Sequence, residues 1–227
     1  MKDIYKKMYE VNRNLELRNN PRIEIMLSMI NDLNFKNADM LDIGCYDGTF
    51  LSKVKNRNNN FHGVEASDFG VQLCEEKKIK VKQFFFDDRN QFPFEDNLFD
   101  VIVIGEIIEH IYDTDFFLQE IKRLLKPSGK LIISTPNIAS FGRRIFLFLG
   151  KNPIIEVSPN EYDSSGHIRY FTFNTLRKLL NKHEFKTLIE KSDVVNFSNS
   201  GNLQFSVFAK LFPRLGQSII FLCEKKA

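Results

Sequence analysis

This chain of 227 residues contains no tryptophan and only three cysteines. The cysteines, Cys45, Cys74 and Cys223, are odd in number, lie far apart and form no C-x-x-C pair. Such a set argues against a disulfide framework and against a zinc site, and it is typical of proteins kept in a reducing compartment. We therefore expect a cytoplasmic protein without a metal site.

An excess of charge of one sign is also missing, and so are long hydrophobic runs. The chain has 32 lysine and arginine residues against 29 aspartate and glutamate residues, a net charge of +3, so the charge balance does not indicate binding to nucleic acid. The charged start, residues 1–7, has no hydrophobic signal region, and no stretch approaches the length of a membrane span. A hydrophobic content of 43% suffices for one sizeable α/β domain with an appendage.

Residues 40–50 are the most informative part of what the chain does contain. A short apolar run ends at Asp42, passes Gly44 and Gly48, and leads into a predicted helix at Thr49. A strand, a tight glycine turn and a helix N-terminus are the usual place for a nucleotide-like ligand, because glycine has no Cβ to keep the ligand away from the backbone. Asp42, at the end of the strand, could meet a cationic or hydroxyl-bearing part of that ligand.

The spacing of this turn excludes the dinucleotide fingerprint. A G-x-G-x-x-G turn that starts at Gly44 needs glycine at positions 46 and 49, which are Tyr46 and Thr49. An acidic residue two positions before the first glycine, with another glycine four positions after it, resembles motif I of the class I S-adenosylmethionine-dependent methyltransferases. The alternative is an ordinary β-turn-α corner.

Strands and helices alternate at short spacing in the middle of the chain, which predicts a doubly wound parallel sheet of the α/β class. We divide the chain into an N-terminal helical segment at residues 1–37, a cofactor-binding core at 38–137, an inserted cap or lid at 138–171, and the C-terminal part of the core at 172–227. In the first segment, Pro21 is expected to open a helix.

Acidic residues end two further predicted strands. Glu65 lies 23 residues after Asp42, and a carboxylate there can accept both hydroxyls of a ribose; the alternative is a solvated loop glutamate. Asp87 and Asp88 end the third strand, and one of them, with a slight preference for Asp87, could accept a hydrogen bond from the exocyclic amine of an adenine. Their alternative is a turn or helix N-cap aspartate.

Five later segments make the resemblance to class I methyltransferases specific. Four are similar to the family's L-P-F-x-x-x-x-F-D, E-x-x-E-H, R-x-L-K-P-G-G and strand-five motifs, and the fifth resembles a subgroup related to ubiquinone-biosynthesis O-methyltransferases and glycan-cluster methyltransferases. They lie at residues 92–100, 106–110, 123–129, 134–137 and 166–172. The resemblance implies a Rossmann-like sheet of seven strands in the order 3-2-1-4-5-7-6, with the last strand antiparallel, and S-adenosyl-L-methionine as the cofactor.

The resemblance also implies which residues hold the cofactor. Glu106, directly after the fourth strand, should face the methionine portion. Tyr46 stands where the family usually has glycine, and its side chain could crowd the cofactor or turn outward. A non-catalytic, methyltransferase-like partner of a biosynthetic enzyme is therefore the alternative. The predicted cofactor-binding residues are Asp42, Gly44, Cys45, Tyr46, Asp47, Gly48, Glu65, Ala66, Asp87, Asp88 and Glu106.

Two histidines are the candidate general bases: His110, with its neighbour Glu109, and His167. Histidine titrates near pH 6.5, so either could take the proton of an acceptor hydroxyl, or could simply pack at the crevice wall. Arg169, with Tyr170, could hold a carboxylate or phosphate of the acceptor, or anchor the loop before the next helix. We predict His110, Glu109 and His167 as catalytic residues and Arg169 and Tyr170 as substrate-binding residues.

Residues 141–149 combine two arginines with a strongly apolar run. They could lie weakly on a membrane surface and reach a lipid-linked acceptor, or form a lid over the substrate, which we favour. Residues 203–213 could join that lid. Together these features predict methyl transfer to a small-molecule or glycan- or lipid-linked acceptor, through an oxygen atom, with no nucleic-acid partner.

Overall fold

The computed structural model describes residues 20–54, 58–86, 90–153, 155, 166–197 and 204–226. The helices are α1 (Pro21–Leu33), α2 (Thr49–Ser52), α3 (Asp68–Glu76), α4 (Thr114–Leu124), α5 (Phe141–Phe148), α6 (Phe173–Lys182) and α7 (Ser206–Leu211), with 3₁₀ turns at Ile108–His110 and Pro213–Leu215. The strands are β1 (Asp39–Ile43), β2 (Asn60–Glu65), β3 (Val81–Gln83), β4 (Phe99–Gly105), β5 (Leu125–Pro136), β6 (Phe185–Lys191), β7 (Val195–Asn196), β8 (Gln204–Phe205) and β9 (Ser218–Lys225).

Seven of these strands form one sheet in the order β3-β2-β1-β4-β5-β9-β6. The first five pair in parallel, and β9 runs antiparallel to both β5 and β6. Because β9 is the seventh strand of this sheet along the chain, the predicted order 3-2-1-4-5-7-6 with an antiparallel last strand is confirmed. The sequence did not indicate the short β7–β8 ribbon, which lies outside this sheet.

Both faces of the sheet are covered, as the nearly continuous apolar run of β4 predicts. Alternate residues of the strand point to opposite faces. Ile102 and Ile104 pack into a core with Phe117 and Leu118 of α4, while Val101 and Val103 pack into a second core. That second core contains buried side chains of α1 and α2, namely Met26, Met29, Ile30, Phe50 and Leu51.

Helix α1 begins where the sequence predicts. Pro21 occupies its first turn, and the Asn20 side chain caps the helix by accepting the N–H of Arg22 at 3.0 Å. This placement brings the Arg22 side chain to the carboxyl edge of the sheet, where its Nη1 donates to Ser134 Oγ of β5 at 3.1 Å. Of the predicted N-terminal segment, residues 1–19 lie outside the described part of the chain.

The predicted cap leaves and rejoins the core at adjacent points. Ile138 N donates to Phe171 O at 2.9 Å, and Asn137 forms a parallel bridge with Phe171. Between these points the structure describes α5 but not residues 154 and 156–165. Among the helices of the described residues, none has the length and apolar character needed to cross a membrane.

Candidate functional site

The glycine turn between β1 and α2 lies at the carboxyl edge of the parallel strands. Gly44 and Gly48 have φ angles of +76° and +69°, a left-handed conformation that glycine adopts without strain. A Cβ at Gly44 would lie 2.4 Å from Cδ1 of Ile107, and one at Gly48 would lie 2.2 Å from Cδ1 of Ile79. The backbone conformation therefore favours glycine at these two positions, and a Cβ at either would displace the end of an isoleucine side chain.

Glu65, at the end of β2, organises this turn. Its side chain is 1% exposed, Oε2 accepts the N–H of Tyr46 at 2.9 Å, and Oε1 accepts the N–H of Ser67 at 2.8 Å. A carboxylate oxygen accepts more than one hydrogen bond, so this side chain is held in place and can still accept ligand hydroxyls. Its predicted role at a ribose fits this geometry and stays a prediction.

Tyr46 keeps the backbone path that a glycine would take. Its φ angle is +47°, a conformation that costs a non-glycine residue about 1–2 kcal/mol. Two contacts hold it there: the N–H donates to Glu65, and the carbonyl oxygen accepts from Cys74 Sγ at 3.1 Å. The substitution therefore leaves the turn and the Glu65 carboxylate connected.

Asp42 is the second buried carboxyl group of the turn. Burial, and then the charge of Glu65, raises the pKa of Asp42 from 3.8 to about 7. The residue is 5% exposed, and no hydrogen bond is among the causes of its pKa shift. A carboxyl group with so raised a pKa suits a ligand that brings a cation or a hydroxyl group.

Other predicted cofactor residues have partners in the protein. Asp47 accepts from Thr49 N at 3.0 Å and from Lys77 Nζ at 2.5 Å; burial opposes ionisation, but these bonds hold the pKa of Asp47 below its usual value. Cys45 Sγ lies 3.9 Å from Cys74 Sγ. Ala66 follows Glu65 directly and is partly exposed, while Asp87 and Asp88 lie outside the described residues.

Glu106 follows β4 with a φ angle of +57°, and strain of this kind is common at functional sites. Its Oε1 accepts from Ser134 Oγ at 3.1 Å and lies 3.3 Å from Arg22 Nη1. Burial raises the pKa of Glu106 although the Arg22 guanidinium opposes this. Glu106 is thus tied to α1 and β5, and its predicted role at the methionine portion of the cofactor remains untested.

Glu109 and the two predicted histidines come together from separate segments. Glu109 is 1% exposed; its Oε2 accepts from Thr135 Oγ1 at 2.9 Å, and its Oε1 lies 3.9 Å from His167 Nε2. In the described part of the chain, Glu109 Oε1 is the buried side-chain oxygen that has no hydrogen-bond partner. Burial, and then the charge of Glu106, raises the pKa of Glu109 to about 8, so its carboxyl group is mostly protonated at neutral pH.

His110 lies beside His167, with ring centroids 4.9 Å apart and the ring planes tilted by 55°, and its Nδ1 lies 3.1 Å from Gly166 O. Because a carbonyl oxygen only accepts, Nδ1 carries the proton and Nε2 is the basic nitrogen of the neutral ring. Glu109, His110 and His167 each offer one ligand atom, all within 4.8 Å of one another, so this group could also hold a metal ion. The prediction of no metal site, made from the cysteines, stays a prediction.

The predicted acceptor residues lie next to this cluster. Arg169 Nε donates to Ile111 O at 3.0 Å, and Nη2 donates to Tyr112 O, so at least two of its donors anchor the loop. The hydroxyl group of Tyr170 donates to His167 O at 3.4 Å. Acceptor binding by Arg169 and Tyr170 remains a prediction, and the loop-anchoring alternative for Arg169 accounts for its described contacts.

Three residues of the site were missed from the sequence. Arg22 pairs with Glu106, and Thr135 donates to Glu109. Arg143 of α5 donates to Asn137 O at 3.1 Å; burial lowers its pKa, opposed by Tyr170 and Glu106 nearby. Thr135 could have been found as a hydroxyl at the end of a buried strand, and Arg143 is one of the two arginines of the predicted lid, whereas the sequence contains no local signal for Arg22.

Comparison with known proteins adds a family and relatives. The profile of a methyltransferase-domain family matches residues 13–190. The chain is 26% identical over 174 residues to the ubiquinone biosynthesis O-methyltransferase of Pelagibacter ubique, an alignment that covers 76% of this chain and 64% of that protein. The chain therefore aligns with somewhat less than two thirds of that relative's length.

Solved structures share the fold. An S-adenosylmethionine-dependent methyltransferase of Thermotoga maritima superposes with a TM-score of 0.68 at 19% identity, covering 99% of each chain. The 1,6-didemethyltoxoflavin-N1-methyltransferase of Burkholderia thailandensis, solved with 1,6-didemethyltoxoflavin and S-adenosylhomocysteine, superposes with a TM-score of 0.64 at 14% identity, covering 100% of this chain and 87% of that one. At these identities the likeness concerns the fold alone.

Proposed function

This chain belongs to the class I S-adenosylmethionine-dependent methyltransferase family, and we propose that it transfers the methyl group of S-adenosyl-L-methionine to an oxygen of a small-molecule acceptor. We propose oxygen as the acceptor atom because Glu109 and His110, which follow β4, lie together with His167. This cluster supplies a basic nitrogen where an acceptor hydroxyl would lose its proton.

The described residues fit the cofactor at the glycine turn. Asp42 is 5% exposed with a pKa raised to about 7, and the left-handed backbone at positions 44 and 48 favours glycine. We assign Asp42 to a cationic or hydroxyl-bearing part of the cofactor and Glu65 to its ribose hydroxyls. When bound, the cofactor supplies a methyl group made electrophilic by the sulfonium.

The protein then has to align the acceptor, exclude water and remove a proton. Alignment of two reactants can lower a barrier by about 7–11 kcal/mol. His110 is the better base, because its Nδ1 faces the Gly166 carbonyl and its Nε2 is the basic nitrogen. His167 Nε2 lies 3.9 Å from Glu109 Oε1, Thr135 Oγ1 donates to the other oxygen of Glu109, and protonated Glu109 keeps further negative charge out of the cluster at neutral pH.

Two observations support features of the acceptor. The Pelagibacter relative is named for O-methylation in ubiquinone biosynthesis, which supports an oxygen acceptor on an apolar molecule. Arg143, partly buried near Glu106 and Tyr170, suits an acceptor that also carries an anionic group. The glycan- or lipid-linked acceptor predicted from the sequence is a more specific case of this proposal.

A non-catalytic partner protein is the second candidate, and the observation that favours it is Tyr46 in place of the family's glycine. Against it, Tyr46 keeps its N–H on Glu65. Binding of S-adenosyl-L-homocysteine to the folded protein separates the two candidates. An absence of binding would favour the partner role.

The test is transfer of labelled methyl groups to a panel of phenols, carboxylic acids and amines. We expect label on the hydroxyl-bearing members and a 10²–10⁴-fold loss, roughly the range for general-base catalysis, in His110→Asn with unchanged S-adenosyl-L-homocysteine binding. The control His62→Asn changes a histidine of β2 that lies toward its start, away from Glu65 at its end, and this variant should keep full activity. Label on amines alone would contradict the choice of oxygen.

A further inference from the structure

Large apolar side chains lie exposed on two helices outside the candidate site. Helix α5 buries none of its side chains, and Phe148 at its end is 87% exposed. Helix α7 buries Ala209 alone, and its Leu211 is 68% exposed. The exposed large apolar residues of the two regions are Ile145, Leu147, Phe148, Leu149, Phe205, Val207, Phe208, Leu211 and Phe212; we call them the cap surface.

The two helices are joined into one surface. Phe141 of α5 packs on Phe197 with ring centroids 4.7 Å apart, and Phe197 packs on Phe208 of α7 at 5.6 Å. Arg144 Nη2 also donates to Arg214 O at 3.5 Å. Groups of neighbouring exposed apolar side chains are typical of interaction sites.

The two chain segments that carry the cap surface contain charged residues of one sign. Residues 137–155 and 204–217 contain five basic residues and no aspartate or glutamate, although the whole chain has 29 acidic residues. The exposed basic residues are Arg144, Lys151, Lys210 and Arg214, and the fifth, Arg143, is half-buried and belongs to the candidate site. A self-complementary dimer through this surface would bring these like charges together, so the charges favour an anionic partner over a second copy of the chain.

We propose that the cap surface docks onto the surface of a bilayer that contains anionic lipids. Apolar side chains enter the boundary between headgroups and acyl chains, and lysine and arginine side chains contact the anionic headgroups. No helix of the described residues could span a membrane, so the contact is interfacial. This inference rests on the proposed function and deepens it: α5 follows β5 at the carboxyl edge of the sheet, so docking brings the crevice to an acceptor embedded in lipid.

Sedimentation of the full chain with vesicles tests the proposal. Vesicles of phosphatidylcholine are compared with vesicles of equal parts phosphatidylcholine and phosphatidylglycerol. We expect the protein to bind the second kind at least tenfold more tightly, and less tightly in 0.5 M salt, because salt screens the charges (Debye length roughly 10 Å at 0.1 M and 3 Å at 1 M). Equal binding to both kinds of vesicle, or none to either, would overturn the proposal.

Variants locate the contact. Phe148→Ser with Leu211→Ser should lower binding to the anionic vesicles about tenfold, and the control pair Leu188→Ser with Ile189→Ser, exposed apolar residues on β6, should not. Lys151→Glu with Lys210→Glu should also lower binding to the anionic vesicles. The control pair Lys178→Glu with Lys186→Glu, at exposed lysines elsewhere on the protein, should not. Equal losses in test and control pairs would refute the assignment of this surface.

Two further measurements distinguish lipid docking from dimerisation and from cofactor binding. If light scattering finds a dimer that Phe148→Ser with Leu211→Ser converts to monomer, the surface binds a second copy and the proposal is wrong. Each variant is also titrated with S-adenosyl-L-homocysteine. A protein that binds vesicles but not this ligand refutes the proposed function alone, and one that binds the ligand but not vesicles refutes the docking alone.

Discussion

Replacing Glu109 by glutamine should stabilise the protein against unfolding, and the gain should grow with pH. Burial, together with Glu106, raises the pKa of Glu109 from 4.5 to about 8 in the folded protein. Between these values the folded state keeps a proton that the unfolded state has released. The unfolded state then binds fewer protons, so the wild-type free energy of unfolding falls as pH rises through this window.

The two pKa values set the magnitude. They differ by 8 minus 4.5, and a pKa difference of 1 corresponds to about 1.4 kcal/mol, so the largest possible penalty is about 5 kcal/mol. The penalty is small below pH 4.5 and complete above pH 8. Relaxation and water entry reduce such costs, so we expect Glu109→Gln to gain about 1–3 kcal/mol over wild type between pH 5 and pH 9.

Urea unfolding at pH 5, 7 and 9 measures this gain. Glutamine keeps an oxygen that can accept from Thr135 Oγ1, and any unmet hydrogen bond of its amide adds an offset that does not change with pH. The difference between wild type and variant is therefore compared across pH. The control is Glu24→Gln on the exposed face of α1. A difference that stays constant from pH 5 to pH 9 would refute the assignment of a protonated, buried carboxyl group at position 109.

Three further substitutions test the remaining contacts of the site. Glu65→Gln places an amide donor against one of two backbone N–H groups, so calorimetry should show S-adenosyl-L-homocysteine binding weakened about 10–100-fold, equivalent to about 1–3 kcal/mol; unchanged binding would rule out its ribose role. Tyr46→Gly removes a left-handed non-glycine residue but adds backbone freedom of about 1 kcal/mol, so stability and ligand affinity should both stay close to wild type, and a marked loss of affinity would show that the tyrosine side chain contributes to binding. Arg22→Gln removes the cation that pairs with Glu106, so urea unfolding should show a loss of about 1–3 kcal/mol while Glu106 is ionised. Because burial raises the pKa of Glu106, the loss should shrink as the pH is lowered and Glu106 takes up a proton; a loss that does not change with pH would mean that Arg22 acts through packing.

Features that depend on neighbours in the chain were predicted from the sequence. Pro21 opens α1 after the Asn20 cap, and the glycine turn follows a buried β1. The apolar run of β4 is covered on both faces. Periodicity, turn chemistry and helix capping act over a few residues, so they are visible without the fold. The order of the strands came from the resemblance to a family and is confirmed.

Side-chain partners could be predicted only in part. Asp47 was predicted only as a cofactor-binding residue, and its described partners are Thr49 N, two positions later, and Lys77 Nζ, 30 positions later. Arg169 was given two possible roles, and the carbonyl oxygens that it contacts belong to residues 111 and 112. Which carbonyls a loop presents depends on how that loop packs, and no pattern in the sequence encodes this.

The sequence by itself determined the seven strands of the main sheet, the glycine turn and the acidic residues at the strand ends, but not the β7–β8 ribbon, because the former follow from local periodicity and backbone conformation. Only the tertiary structure decided that Glu109 meets His167, 58 residues away, and that Arg22 meets Glu106, 84 residues away. The physical reason is that the parallel sheet gathers the carboxyl ends of distant strands at one edge. Burial there then raises the pKa of Asp42 and of Glu109, which no count of residues along the chain can indicate.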